Sequence, residues 1–296
     1  MMTLKNALRE FLITQQLRGN SDKTVVYYSN CVEPMIDYLG EKTQVSELTL
    51  ESLREYSLYL KNRGISSNSF KTYLKGIKAY LSWLYQEGYT AEDFGALLKL
   101  PKAQRKTIDV LTPHEIESLF KCFDVKNYKD LRNCCICALM LDSGLRKSEV
   151  VSLKLDDVHI FEGYIIVTGK GNKQRLVPIG NHTKKYLIKY ISQRPQGTDS
   201  DSVFLTKDNL PITQSVIDRL FKTLKSRQDL LTPRIHAHLL RHTFATNYLE
   251  NGGNIYALQL ILGHTSLEME KKYVHLTQSK TVLNFKNYSP LDNLKR

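Results

Sequence analysis

The chain has little of what staples small or secreted proteins together. Its five cysteines, Cys31, Cys122, Cys134, Cys135 and Cys137, are odd in number; Cys134 and Cys137 have CxxC spacing, but no second Cys or Cys/His pair completes a zinc set. Three of them fall in LRNCCICALMLDSG, which reads as a buried apolar helix with the cysteines as small hydrophobes. No apolar run reaches the roughly 20 residues that span a bilayer. The start, MMTLKNALREF, is amphipathic and lacks the continuous apolar stretch of a signal peptide. Repeats and low-complexity segments are absent as well. Together these absences argue against a disulfide scaffold, a structural metal or a membrane anchor, and lead to the expectation of a soluble protein in a reducing compartment.

What is present is positive charge and helical periodicity. The 296 residues carry a formal charge of +12, which favours an anionic partner, nucleic acid above all. Residues 1–98 read as one helical domain. LKNALREFLITQQLRGN is a first helix, with Leu4, Leu12 and Leu17 among its apolar positions, and a second begins after Ser21. ELTLESLREYSLYLKNRG is a third, ended by Gly64. In SSNSFKTYLKGIKAYLSWLYQEG the residues Phe70, Leu74, Ile77, Leu81 and Leu84 recur at spacings of three and four and form one buried stripe. Lys71, Lys75 and Lys78 lie on an adjacent face, either a solvated flank or a row of phosphate contacts.

Residues 99–109, within LKLPKAQRKTIDVL, lose this periodicity. Their basic residues, Arg105 among them, suit a linker that lies along a phosphate backbone. Helical structure restarts at LTPHEIESLF, with Thr112 as N-cap, Pro113 at the first position and Glu115 completing a capping box, so a second domain spans 110–296. It is mostly helical. Its strand interlude, GYIIVTGKGNKQRLVP, reads as two short strands joined by a basic loop, in which Lys173 and Arg175 are further candidates for DNA contact. The fold class expected is mainly α with a small antiparallel β-sheet.

Four segments bring chemistry to these elements. In LDSGLRKSEV, Arg146 and Glu149 are three apart on one helical face, so the carboxylate can hold the guanidinium; a plain intrahelical salt bridge reads equally from the spacing. In TGKGNKQR, Lys170 sits at a hairpin tip, as a solvent-exposed turn residue or one that reaches into DNA; this is not a P-loop, because GxxxxGK[ST] is missing. In RIHAHLLRHTFAT, His238, Arg241 and His242 stack on one face. Zinc would need HExxH, and Leu239 stands where the Glu belongs. An anion between the two imidazoles and the guanidinium accounts for the grouping. Finally, in ILGHTSLEMEKKYVHLT, His264 follows Gly263 and Tyr273 comes nine residues later.

A phenol with a pKa of about 10 is a poor nucleophile at neutral pH unless positive groups stabilise its anion or a base takes its proton. Two arginines, two histidines and a lysine around a phosphodiester supply that field, with Lys170 left to protonate the departing oxygen. Attack by Tyr273 would join the protein to DNA through a phosphotyrosine that conserves the bond energy, without metal, ATP or another cofactor. Asp156 and Asp157 are paired but have no third partner for a metal-dependent transposase.

The set SGLRKSE, GKGNKQRLVP, HLLRH, LGH and KKYVHLT, in this order, resembles the boxes of the tyrosine recombinase, or phage integrase, family, and is most similar to compact integrases and bacterial chromosome-dimer-resolving recombinases. The resemblance implies a four-helix core-binding domain that clamps DNA from the opposite side of a breaking-and-rejoining catalytic domain. It further implies that Arg146 and Arg241 clamp the scissile phosphate, that Lys170 is the general acid, that His238 and His264 assist, that Glu149 and His242 support the pocket, and that Tyr273 attacks. The partners implied are double-stranded DNA with a specific site and a homotetramer on synapsed sites, monomer or dimer in isolation, with strand exchange through a Holliday junction. An accessory DNA-bending protein or partner recombinase, and a bacterial cytoplasmic, nucleoid-associated setting, are also implied, as is a docking tail with Val282, Leu283 and Phe285 as anchors. Type IB topoisomerases and telomere-resolving enzymes, which also cleave through tyrosine, are the alternative outcome, and a DNA-binding protein that has lost catalysis is the non-enzymatic one. Two departures stand out: Met269 and Glu270 where the family often has threonines, and Lys147 where an apolar residue is common.

Overall fold

The computed structural model describes residues 2–101, 109–169, 172–195, 198–227 and 234–263. The chain divides into two compact units, Met1–Lys106 and Thr107–Arg296, each built on its own hydrophobic cluster.

The first unit contains α1 (Leu4–Leu17), α2 (Asp22–Leu39), α3 (Leu50–Asn62), α4 (Ser67–Gln86) and a single turn, α5 (Phe94–Leu97). Hydroxyls start three of them: Thr3 Oγ1 accepts from the Asn6 amide, Thr49 Oγ1 from Ser52 and Ser66 Oγ from Ser69, which satisfies amides that the first helical turn leaves without partners. On α4 the stripe of Leu74, Ile77, Leu81 and Leu84 is buried to 2 % or less, and Phe70 packs at its margin. Tyr80, on the same helix, donates its hydroxyl to the Leu4 carbonyl at 2.9 Å and so ties α4 to α1. In α1 the buried face is Leu4, Ala7, Leu8 and Phe11. Leu17, one of the apolar positions read in this helix, is 84 % exposed and is the helix's last residue.

In the second unit the elements are α6 (Pro113–Lys121), α7 (Tyr128–Asp142), α8 (Lys147–Ser152), β1 (Val158–His159), β2 (Tyr164–Thr168), β3 (Gln174–Pro178), α9 (Asn181–Ser192), α10 (Gln214–Lys225), α11 (Ala237–Glu250) and α12 (Ile255–Leu262). The expected capping box of α6 is present: Thr112 Oγ1 accepts from the Glu115 amide and Glu115 Oε2 accepts from the Thr112 amide. Helix α7 is buried on every side from Leu131 to Met140. Its three thiols are free, and burial pushes that of Cys134 up to about 12, so they pack as small hydrophobes.

The sheet has one strand more than the sequence announces. Its order is β1-β2-β3, antiparallel throughout, and β1, at two residues, is too short to show any alternation. In β2 the buried residues are Ile165 and Val167. They oppose Val177 and Arg175 of β3, so Arg175 lies on the core-facing side of its strand. This register carries it toward the site described next.

Truncating the α4 stripe tests this packing. Leu81→Ala is expected to cost about 2–5 kcal/mol, whereas Leu17→Ala should stay within about 0.5 kcal/mol of the parent; urea unfolding of the full chain followed by tryptophan emission measures both.

Candidate active site

The site starts where α7 ends. Asp142 Oδ2 accepts from the Gly180 amide at 2.8 Å and from Thr183 Oγ1 at 2.7 Å, and Ser143 Oγ donates to the Pro178 carbonyl at 2.9 Å. These bonds fasten the turn to the end of β3 and the start of α9. Gly144 then takes φ +66°, and a Cβ there would stand 2.6 Å from Phe244 Cδ1 and 2.7 Å from Leu262 Cδ2. Only glycine combines that backbone with that approach.

The turn places Arg146 just ahead of α8, at its N-cap with φ −79° and ψ 156°, rather than inside the helix as its spacing to Glu149 implies. Glu149 reaches back to accept the Arg146 amide at Oε2 (2.8 Å), and the same carboxylate takes the Arg146 guanidinium at Oε1 (2.9 Å). A second guanidinium enters from β3. Arg175 grips Glu149 with both terminal nitrogens, at 2.9 and 3.0 Å. Arg241 Nη1 lies 3.9 Å from Glu149 Oε2. One buried carboxylate, its side chain 2 % exposed, therefore faces three guanidiniums.

Burial pushes the Glu149 carboxyl up. The hydrogen bonds from Arg175 and from the Arg146 amide, with the charges of both arginines, outweigh that and hold it below the usual carboxylate value. It is thus ionised at neutral pH, and the cluster carries two surplus positive charges.

Helix α11 supplies the third guanidinium. Arg241 is buried and donates from Nη1 to the Gly144 carbonyl and from Nη2 to the Leu262 carbonyl, the latter at 2.8 Å. His236 caps the helix, its Nδ1 accepting the Leu239 amide at 2.7 Å. His238 follows on the exposed side, with its ring 6.5 Å from that of His242. Partial desolvation, then the positive field of His236, Arg241, Lys147 and Arg146, holds His238 below the ordinary imidazole value.

The structure thus brings Arg146, Glu149 and Arg241 together, with His238 inside their field. Lys170, His264, Tyr273 and Arg105 lie outside the described residues, as do Met269, Glu270 and the tail anchors. In the first unit, Lys71 is half-buried and Lys75 exposed, whereas Lys78 donates its ammonium to the Leu98 carbonyl at 2.5 Å, closing the end of α5. Lys173 is exposed. Arg175, read as a DNA contact, instead spends its side chain inside the cluster and is 13 % exposed. The unusual Lys147 has a partner in Asp218 of α10, at 2.5 Å. Among the described residues no group of three His, Cys, Asp or Glu is placed to hold a metal ion, and no helix is long and apolar enough to cross a membrane.

The chain that carries this cluster matches known proteins in sequence and in fold. The phage integrase family model covers residues 109–280, and the model of the phage integrase N-terminal SAM-like domain covers residues 6–91; the chain belongs to the phage integrase family. It is a tyrosine recombinase, an enzyme of site-specific DNA recombination. Among curated relatives, it is 30 % identical to tyrosine recombinase XerD of Staphylococcus saprophyticus, over 96 % of this chain and 98 % of that one. Against XerD of Oceanobacillus iheyensis the identity is 28 %, over 97 % and 99 %. The fold is shared with the Tn1549 transposon integrase in complex with transposon right end DNA (TM-score 0.79, 21 % identity, 97 % and 99 % covered). It is also shared with a lambda integrase tetramer bound to a Holliday junction (TM-score 0.71, 15 % identity, 90 % and 79 % covered).

Two measurements test the electrostatics of the site. Glu149→Gln leaves three guanidiniums without their counter-charge and is expected to cost about 3–5 kcal/mol in thermal or chemical unfolding. Because the folded carboxyl is held low, its contribution is complete above the ordinary value near 4.5 and is lost as pH falls through the lowered folded value. The parent should therefore lose more stability than Glu149→Gln on acidification below that point. For His238, the unfolded ring binds a proton before the folded one, so stability declines as pH drops below about 6.5. His238→Gln is expected to show a shallower decline between pH 7 and 5 in melting scans.

Proposed function

We propose that the chain cleaves and rejoins duplex DNA at a specific site through attack of the Tyr273 phenol oxygen on a backbone phosphodiester. The Tyr273 O–P bond forms and the P–O5′ bond breaks, leaving a 3′-phosphotyrosine and a free 5′ hydroxyl. Lys170 gives the departing oxygen its proton. Arg146 and Arg241 clamp the phosphate, with His264 hydrogen-bonding beside them, and His238, neutral at working pH, is available to take the phenol proton. Rejoining reverses these steps with a 5′ hydroxyl as nucleophile, so no external energy source enters.

The observation that carries this reading is the partly open guanidinium of Arg146. Its side chain is 34 % exposed and bonds Glu149 through a single N–H, which leaves donors of the fork for an anion. The charge of the cluster also suits the chemistry. A phosphodiester carries one negative charge and its five-coordinate transition state about two, so a surplus of two positive charges favours the latter.

On the same reading, residues 1–98 and 110–296 each contribute DNA contacts, the first through Lys71 and Lys75, and 99–109 join them. The working form is a homotetramer on two synapsed sites that exchanges strands through a Holliday junction, the assembly named for lambda integrase. The setting is the bacterial cytoplasm, at the nucleoid.

A duplex recovered by this protein from a randomised pool, nicked near the cleavage position so that the released fragment diffuses away, tests the proposal. The parent should accumulate a covalent adduct and Tyr273→Phe none; an adduct that persists in Tyr273→Phe would sink the assignment. Arg146→Ala and Arg241→Ala should each slow adduct formation by about 100-fold or more at saturating DNA, because each removes charge stabilisation that grows in the transition state.

A further inference from the structure

The proposed function, on which this inference rests, uses Arg146 and Arg241 and gives Arg175 no part. Its surroundings are nevertheless those of a working residue. Three of its nitrogens are engaged: Nε donates to the Ile261 carbonyl at 2.6 Å, and the two terminal nitrogens take both oxygens of Glu149. We propose that Arg175 is a positioning residue for cleavage: by occupying Glu149 it keeps that carboxylate from neutralising the guanidiniums that hold the phosphate.

An ionised carboxylate offers about four lone-pair sites. Those of Glu149 take the Arg146 amide, the Arg146 guanidinium and two bonds from Arg175, which fills them. Arg241, at 3.9 Å, stays beyond hydrogen-bond distance and gives its nitrogens to carbonyls instead. Without Arg175 a buried carboxylate has two open sites, a costly state, and the nearest cations are the two expected on the phosphate. Arg146 would pass from one bond to a fork, or Arg241 would be pulled off its carbonyls. Either movement takes positive charge from the anion, and where the Arg175 charge is itself removed the local surplus falls from two to one.

Arg175 and Arg241 also meet at the end of α12. The last carbonyls of that helix go to guanidiniums in succession, Ile261 to Arg175 and Leu262 to Arg241, at the end where the helix dipole favours cations. Gly263, at φ +63°, closes the helix directly against Arg175; a Cβ there would lie 3.0 Å from Nη1 and 3.1 Å from Cζ. The two guanidiniums are thereby placed side by side on one helix end. Lysine could supply the charge of Arg175 but not the fork that grips both oxygens.

A double-mutant cycle on the nicked, selected duplex tests this, with single-turnover cleavage, DNA affinity and its salt dependence measured together. Arg175→Lys and Arg175→Met are each expected to slow cleavage by about 100-fold at saturating DNA, the scale of losing one oriented transition-state donor. Affinity should stay within about 3-fold with an unchanged salt slope, since no phosphate contact is lost. In a Glu149→Gln background, where no carboxylate competes for Arg146 and Arg241, Arg175→Met should cost no more than about 5-fold further. An equal loss in both backgrounds overturns the proposal, as does full cleavage by Arg175→Lys. Weaker binding with a shallower salt slope and normal cleavage at saturation overturns it in favour of direct DNA contact. Should Arg175→Lys and Arg175→Met not fold, the comparison of Arg175→Met/Glu149→Gln with Glu149→Gln, in which no unpaired carboxylate is left, takes their place, and a cost above about 5-fold there overturns the proposal. A parent that forms no adduct defeats the proposed function and this inference with it; a cleaving parent beside an unaffected Arg175→Lys defeats only the inference.

Discussion

Everything at the site depends on one ionised carboxylate kept out of water. Glu149 is buried, and a carboxylate in that position is tolerated only if its lone pairs are filled and its charge is matched. The chain meets both conditions with arginines from the start of α8 and from β3 and with a third, from α11, just outside bonding distance. The consequence is a rigid assembly of like charges that would otherwise repel. For the proposed attack on a phosphate that gains charge during reaction, such an assembly has the advantage of being in place before DNA arrives, because orienting Arg146 and Arg241 during the reaction would cost much of the stabilisation they supply.

The supporting structure explains how three elements distant in sequence converge. Helix α7 is buried on every side from Leu131 to Met140, and Asp142 and Ser143 fasten its end to α9 and β3. Gly144 turns the chain within contact of Phe244 and Leu262 and offers its carbonyl to Arg241. The sheet register does the remaining work by turning Arg175 inward beside Val177. Backbone carbonyls, which carry no sequence signature, thus hold Arg241 and one edge of Arg175, while the side chain of Glu149 holds Arg146 and the other edge.

Much of this was legible beforehand, and the exceptions have identifiable reasons. The α4 stripe and the α6 capping box follow from local periodicity and from side chains three residues apart, so both could be read directly. The pairing of Arg146 with Glu149 was equally legible, but not the N-cap position of Arg146, because a spacing of three suits a helical face and a capping interaction alike. Leu17 misled because hydrophobicity does not say whether an opposing surface exists. Arg175 was read as a DNA contact from its charge and its neighbours in a basic hairpin. Yet QRLVP alternates, and Val177 on the core side places Arg175, two residues before it, on that side as well; the signal was present and was outweighed by composition. The strand β1, with two residues, had no pattern to read.

The sequence by itself determined the helical and strand periods, the order of the arginine, lysine, histidine and tyrosine boxes, and with them the family. Those properties are local, since each is written in residues a turn or a strand apart. Only the tertiary structure decided what Arg175 and Arg241 donate to, because their acceptors lie far along the chain: 26 residues from Arg175 to Glu149, 86 from Arg175 to Ile261 and 97 from Arg241 to Gly144. Which acceptor an inward-facing guanidinium meets depends on the packing that closes those separations, and no pattern within a single segment contains it.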